Sequence, residues 1–260
     1  MIFSKHSIKA TVILASVLFV VGGTLVYANH SWGDYHWARA SSPFTLKLGD
    51  NVSSAWDAYL GEASSDWSVS TVLDTTVVQG GTNPKNCRAT NGRVEVCSSK
   101  YGFNGWLGVA TIWISGSHIV ASTVKVNDSY FNTVTYNTPP WRRLVICQEV
   151  GHTFGLDHQD VDFSNPNLGT CMDYTGNPSG PPSNEHPNAH DYEQLEAIYT
   201  HLDSTTTVSQ VVSSRFGNGN AADAAEWGKE VRKDSKGKTS LYVRDLGNGE
   251  KIFTFVIWAD

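Results

Sequence analysis

Five residues between Gln148 and His158 stand at spacings that suit metal chemistry, in the run QEVGHTFGLDH. Gln148 and His152 are four apart, so on a helix both side chains leave nearly the same face. Glu149 sits one position round. Gly155 follows His152 by three residues and can end the helix in a left-handed turn, which glycine adopts without steric penalty. The chain then doubles back, and His158 approaches the same point from the other side. Two imidazoles and an amide oxygen, with a carboxylate beside an open fourth position, form the layout of a catalytic zinc site.

Downstream, Cys171–Met172–Asp173–Tyr174 follows in the same chain. Taken together, these stretches resemble the signature of the metzincin metalloproteases, HExxHxxGxxH followed by a Met-turn, with Gln148 in place of the first histidine. The resemblance implies a matrixin-like, zinc-dependent endopeptidase. Gln148, His152 and His158 would be the metal ligands, Glu149 the general base that takes the proton of the metal-bound water, and Met172 the floor beneath the metal. Tyr174 would steady the carbonyl oxygen. It also implies that Leu107–Ile114 is the edge strand above the cleft, whose backbone pairs with an extended peptide or protein substrate. Gln148 leaves alternatives open, because an amide oxygen is a weaker zinc ligand than imidazole. Gln148 ligates through its oxygen, a further residue such as Asp160 or His190 completes the set, or the chain is a catalytically inactive binding or scaffold protein of metzincin shape.

Positioning such a site needs a helix and a sheet. Thr138–Pro139–Pro140 is a cap followed by proline in the first turn, so a helix is expected from Pro139 to Phe154. Ile146, Val150 and Phe154 form its core-facing stripe. Gly151 in mid-helix leaves room for a close neighbour, the Met-turn being the candidate. Strands are expected at Phe44–Leu48, around Val72–Val78, and at Leu107–Ile114 and His118–Val126, which are rich in β-branched residues. A helix is read over Val52–Glu62, capped by Asn51. A second runs from Ala189 to His201, with Asn188 and Asp191 as a capping box. Residues 79–105 read as a loop with a small hairpin. Thr175–Pro187, with its four prolines, reads as a structured loop walling a specificity pocket. The expected fold class is α+β: a twisted mixed sheet of about four or five strands, an active-site helix, a Met-turn and a C-terminal helix, plus a C-terminal β-hairpin.

The chain has 260 residues, 40% of them hydrophobic and nine of them Trp, enough for one packed domain and an appendage. A basic start (Lys5, His6, Lys9), an apolar run from Ala10 to Val26 and Val26–Tyr27–Ala28 read as a secretory signal over 1–28. The expected organisation is then a catalytic domain over 29–202, a linker over 203–238 and a hairpin tail over 239–260. The hairpin must dock on the main domain, since an isolated one is barely stable, but carries no chemistry of its own. Without 1–28 the chain holds 17 basic and 25 acidic residues. That balance, with no basic cluster, argues against nucleic acid, and no nucleotide motif is present. A monomer is expected. Four cysteines in an exported chain suggest two disulfides among three possible pairings. Cys87 and Cys97 flank the Asn91–Gly92 turn, and a Cys147–Cys171 bridge would staple the metal helix to the Met-turn. A structural calcium at Asp157, Asp160 and Asp162 is a lesser reading, since the EF-hand pattern is missing.

Overall fold

The computed structural model describes residues 30–210 and 224–259, so the expected signal segment over 1–28 and part of the expected linker lie outside it. Alternating and β-branched runs become strands β1 (His36–Trp37), β2 (Phe44–Asn51), β3 (Leu73–Gln79), β4 (Val94–Ser99), β5 (Trp106–Ser115), β6 (His118–Asn127), β7 (Lys229–Lys233), β8 (Thr239–Gly247) and β9 (Glu250–Trp258). Helices are α1 (Asp57–Trp67), α2 (Asp128–Phe131), α3 (Pro139–His152) and α4 (Ala189–Ile198). The class is α+β, with a large mixed sheet and few helices.

The sheet has nine strands among the described residues, in the order β3-β2-β4-β6-β5-β9-β8-β7, with β1 against the start of β6. This corrects the expected four or five. The excess comes mainly from the C-terminal end: β9 pairs antiparallel with β5 along its whole length, β8 pairs with β9, and β7 pairs with β8. β7 lies within the stretch read as linker. The strand expected to be a free edge above a cleft is therefore internal, because the chain's own tail continues the sheet.

Two local expectations also change. Asn51 does not cap α1, which begins six residues later. It ends β2, and its side chain donates to Glu95 Oε2 at 2.7 Å and accepts from the Thr82 amide at 3.0 Å. Residues 79–105 are not a stapled hairpin. β4 runs parallel between β2 and β6, fully inside the sheet, and Cys87 reaches Cys97 from a loop.

α3 lies against the sheet with its central residues, Leu144 to His152, all buried. Indole N–H groups fix its C-terminal half: Trp67 donates to the Cys147 carbonyl at 3.1 Å, Trp32 to His152 at 3.3 Å and Trp37 to Thr153 at 2.8 Å. Each of these rings adds roughly 2–3 kcal/mol of apolar burial, and those of Trp32 and Trp37 also satisfy carbonyls at the helix end. α4 starts at the expected capping box, Asn188 with Asp191. Both disulfides form, Cys87–Cys97 and Cys147–Cys171.

Candidate metal centre

α3 ends at His152, and Gly155 turns the chain with φ +102°. A Cβ there would lie 2.6 Å from the Tyr35 carbonyl oxygen, so glycine is required by space as well as by angle. The reversed chain brings His158 back, and its Nε2 stops 3.0 Å from Nε2 of His152. Residues after His158 then run along the Met172 stretch, with the Gln159 amide donating to the Met172 carbonyl at 2.7 Å and the Tyr174 amide to Asp160 at 3.2 Å. Gly151 makes the expected room: a Cβ there would meet Met172 Sδ at 2.7 Å. The Cys147–Cys171 bridge ties helix to turn beside it.

The hydrogen bonds assign the tautomers. His152 Nδ1 lies 2.9 Å from the Leu156 carbonyl and must carry a proton to donate. Its Nε2 therefore presents a lone pair. His158 Nδ1 lies 3.5 Å from Asp157 Oδ1 and completes no hydrogen bond. The 3.0 Å contact between the two Nε2 atoms is a hydrogen bond when His158 carries its proton on Nε2, and a cation between the rings would replace that proton. Burial, reinforced for His152 by His158, holds both imidazoles below the usual histidine range, which disfavours a second proton on either ring.

Gln148 adds a further acceptor. Its Nε2 donates to the Cys171 carbonyl at 2.7 Å, and a carbonyl can accept only, so the amide orientation is fixed with Oε1 left over. That oxygen is buried and has no hydrogen-bond partner. Glu149 is fully buried as well, and neither carboxyl oxygen completes a hydrogen bond. Burial pushes this carboxyl well above the usual range; the amides of Ala110 and Ile257 oppose that only in part. Gly108 on β5 is what allows it to fit, since a Cβ there would meet Glu149 Oε1 at 2.7 Å.

β9 covers this centre. Phe255 is fully buried, with its ring stacked on His152 at 4.1 Å and 12°. The Tyr174 ring contacts His158 at 4.4 Å, and its hydroxyl donates to the Val256 carbonyl at 3.0 Å. β7 braces the cover: both terminal nitrogens of Arg232 pair with the Asp157 carboxylate. The hairpin read as carrying no chemistry thus sits directly on the candidate residues.

The substitutes considered for Gln148 lie elsewhere. His190 packs on His30 at 4.8 Å. Asp160 is taken up by the Asp162 amide and by Asn165 Nδ2. Nor do Asp157, Asp160 and Asp162 share a cation site: the first is paired with Arg232 and the third accepts from the Ser164 amide at 2.9 Å. A different group of residues could hold a metal ion, namely His36, His201 and Asp203, with ligand atoms all within 4.8 Å of one another. Sequence reasoning missed it because its members come from distant stretches with no motif spacing. Compared with known proteins, the chain matches no family model and no curated protein. Among the described residues no helix is long and apolar enough to cross a membrane.

Proposed function

We propose that the chain is a secreted, metal-dependent endopeptidase of metzincin type, held in a closed form by its own C-terminal strand. One observation carries the reading: the chain returns after α3 so that His158 Nε2 stands 3.0 Å from Nε2 of His152, both buried, while Gln148 Oε1 on the same helix is buried and has no hydrogen-bond partner. Such a set suits a cation. Gln148, His152 and His158 would hold a zinc ion, which would supply Lewis acidity towards a water and a substrate carbonyl. Glu149 would be the general base, holding a proton on a carboxyl oxygen and passing it to the departing amine. Its raised proton affinity in the closed form leaves it ready to ionise once water reaches it.

β9 indicates what the cleft accepts. It is an extended segment antiparallel to β5, with Phe253, Phe255 and Ile257 facing the main core and Val256 offering its carbonyl to Tyr174. A substrate bound the same way would receive the β5 backbone ladder and the Tyr174 hydroxyl. Two disulfides accord with an exported chain.

A second reading is favoured by the same cover and by Gln148. The tail fills the cleft and the amide donates to Cys171, so the chain is an inactive metzincin-shaped binding protein. Zinc analysis and peptide cleavage by the exported chain separate the two. The peptidase reading expects bound zinc, with casein cleavage that stops on adding chelator and in Glu149→Gln. Cleavage that persists in Glu149→Gln, or a tail-released chain that holds zinc and cuts nothing, defeats it.

A further inference from the structure

We infer that the chain carries a second zinc site, separate from the His152–His158 pair, in which His36, His201 and Asp203 are the ligands and His118 stands beside them. The four come from three separate stretches. His36 is in β1 and stands directly opposite His118 at the start of β6. His201 and Asp203 follow α4. Their Nε2 atoms converge on a single oxygen, Asp203 Oδ1, at 3.4 Å from His36, 3.3 Å from His118 and 3.6 Å from His201.

These distances discriminate between two kinds of cluster. Charge-assisted hydrogen bonds from imidazolium to carboxylate lie at about 2.7–2.9 Å, and no oxygen accepts three of them well. Ligands sharing a tetrahedral zinc at about 2.0–2.2 Å are separated by the tetrahedron's edge, about 3.3–3.5 Å. The observed spacings fall around the second range. The buried member agrees. His36 Nδ1 donates to the Asp34 carbonyl at 2.8 Å, which fixes the ring, and its Nε2 faces Asp203 Oδ1 at 3.4 Å, long for a charge-assisted hydrogen bond. A backbone carbonyl on the far nitrogen is the outer support that metal-bound histidines use.

Asp203 is equally well prepared. Its Oδ2 accepts from the Arg39 amide at 2.9 Å while its own amide donates to the Arg39 carbonyl at 2.8 Å, which leaves Oδ1 aimed at the histidines. The Arg39 guanidinium holds the preceding turn through the carbonyls of Tyr199 and His201. His36 is buried, whereas the side chains of His118 and His201 are 32% and 59% exposed, so an ion reaches the site from solvent. A surface cavity of about 500 Å³, lined by His36, His201, Ser117 and Asp34 among others, adjoins it. Imidazole nitrogens and a carboxylate oxygen with no thiolate suit zinc(II). The ion would clasp β1 to the segment beyond α4.

The test is zinc titration of the chelator-stripped full chain against a competing dye, with His201→Ala, Asp203→Asn and His158→Ala alongside. The expected result is one zinc equivalent that survives His158→Ala and weakens at least tenfold in both His201→Ala and Asp203→Asn. His201 is exposed enough that its alanine variant should fold, and cobalt(II) loaded into His158→Ala should give the intense visible bands of tetrahedral coordination, lost on adding His201→Ala. Two equivalents in the parent, one of them lost in His158→Ala and the other retained, would support zinc at both centres. Unchanged stoichiometry and affinity in both His201→Ala and Asp203→Asn, or no zinc bound by His158→Ala, would overturn the assignment.

Discussion

Replacing Phe255 with alanine should release β9 from the α3 centre. The ring is fully buried, stacked on His152 at 4.1 Å, and further packed by Trp32 at 5.9 Å and His158 at 6.0 Å. Truncating a buried phenylalanine to alanine costs about 3–5 kcal/mol in lost transfer energy and residual cavity. The β5–β9 backbone ladder is untouched, so the loss falls on side-chain docking. If β9 leaves without global unfolding, the open population rises by roughly two to three and a half decades at 1.36 kcal/mol per tenfold; any loss shared with the rest of the core lowers that figure. Two measurements follow the event. Amide exchange over β9 reports opening, and turnover of an internally quenched peptide in the presence of zinc reports access to Glu149. Both should rise together, and Glu149→Gln in the Phe255→Ala background should abolish turnover alone. Faster exchange over β9 with no turnover would refute the idea that a working peptidase centre lies beneath the strand.

Gln148→His should raise zinc affinity at the α3 centre by at least tenfold, since imidazole replaces an amide oxygen; equal affinity in a competition titration would mean that residue 148 does not face the metal. In the metal-free protein, opening of β9 should become easier as pH rises. Burial holds the Glu149 proton in the closed form above its ordinary value, so between about pH 4.3 and that raised value the closed form binds more protons than the open one, and each pH unit favours opening by up to about tenfold. Exchange rates over β9, corrected for intrinsic chemistry, should show this slope in the parent and lose it in Glu149→Gln. Lys125→Met should stabilise the fold at pH 7. Lys125 is buried, its Nζ over the Tyr101 ring at 5.5 Å but without a hydrogen-bond partner, and burial lowers its ammonium from 10.5 to about 8, a penalty of about 3 kcal/mol while the group stays charged in the unfolded chain. The parent's stability should accordingly climb between about pH 8 and 10.5 and the gap to the variant close; a gap in melting temperature that is constant with pH would contradict this.

What could be read from the residues alone follows the range of the forces involved. The arrangement of Gln148, Glu149, His152, Gly155 and His158 is nearly local: helix geometry and one glycine turn bring the histidines to 3.0 Å, and Gly151 marks the place of Met172. The α4 capping box is local too. β4 was harder, because VEVCSS lies in a Gly- and Asn-rich stretch and becomes a strand only between β2 and β6. Asn51 illustrates the converse, a residue with good capping chemistry that a long-range partner, Glu95, engages first.

The docking of the C-terminal strand is non-local. Ile252, Thr254, Val256 and Trp258 announce a hairpin, but the same alternation serves a strand at any edge of the sheet, and only tertiary packing selects β5. The selection has a physical cause visible in the contacts. β5 is buried on both faces, and Phe255 covers an imidazole pair that would otherwise meet water. Arg232, on the neighbouring β7, neutralises Asp157 at the same place. An edge strand that remained open would expose its backbone donors and acceptors to any extended chain. Here the protein's own tail meets that need, since β9 takes up the backbone donors and acceptors that β5 would otherwise offer.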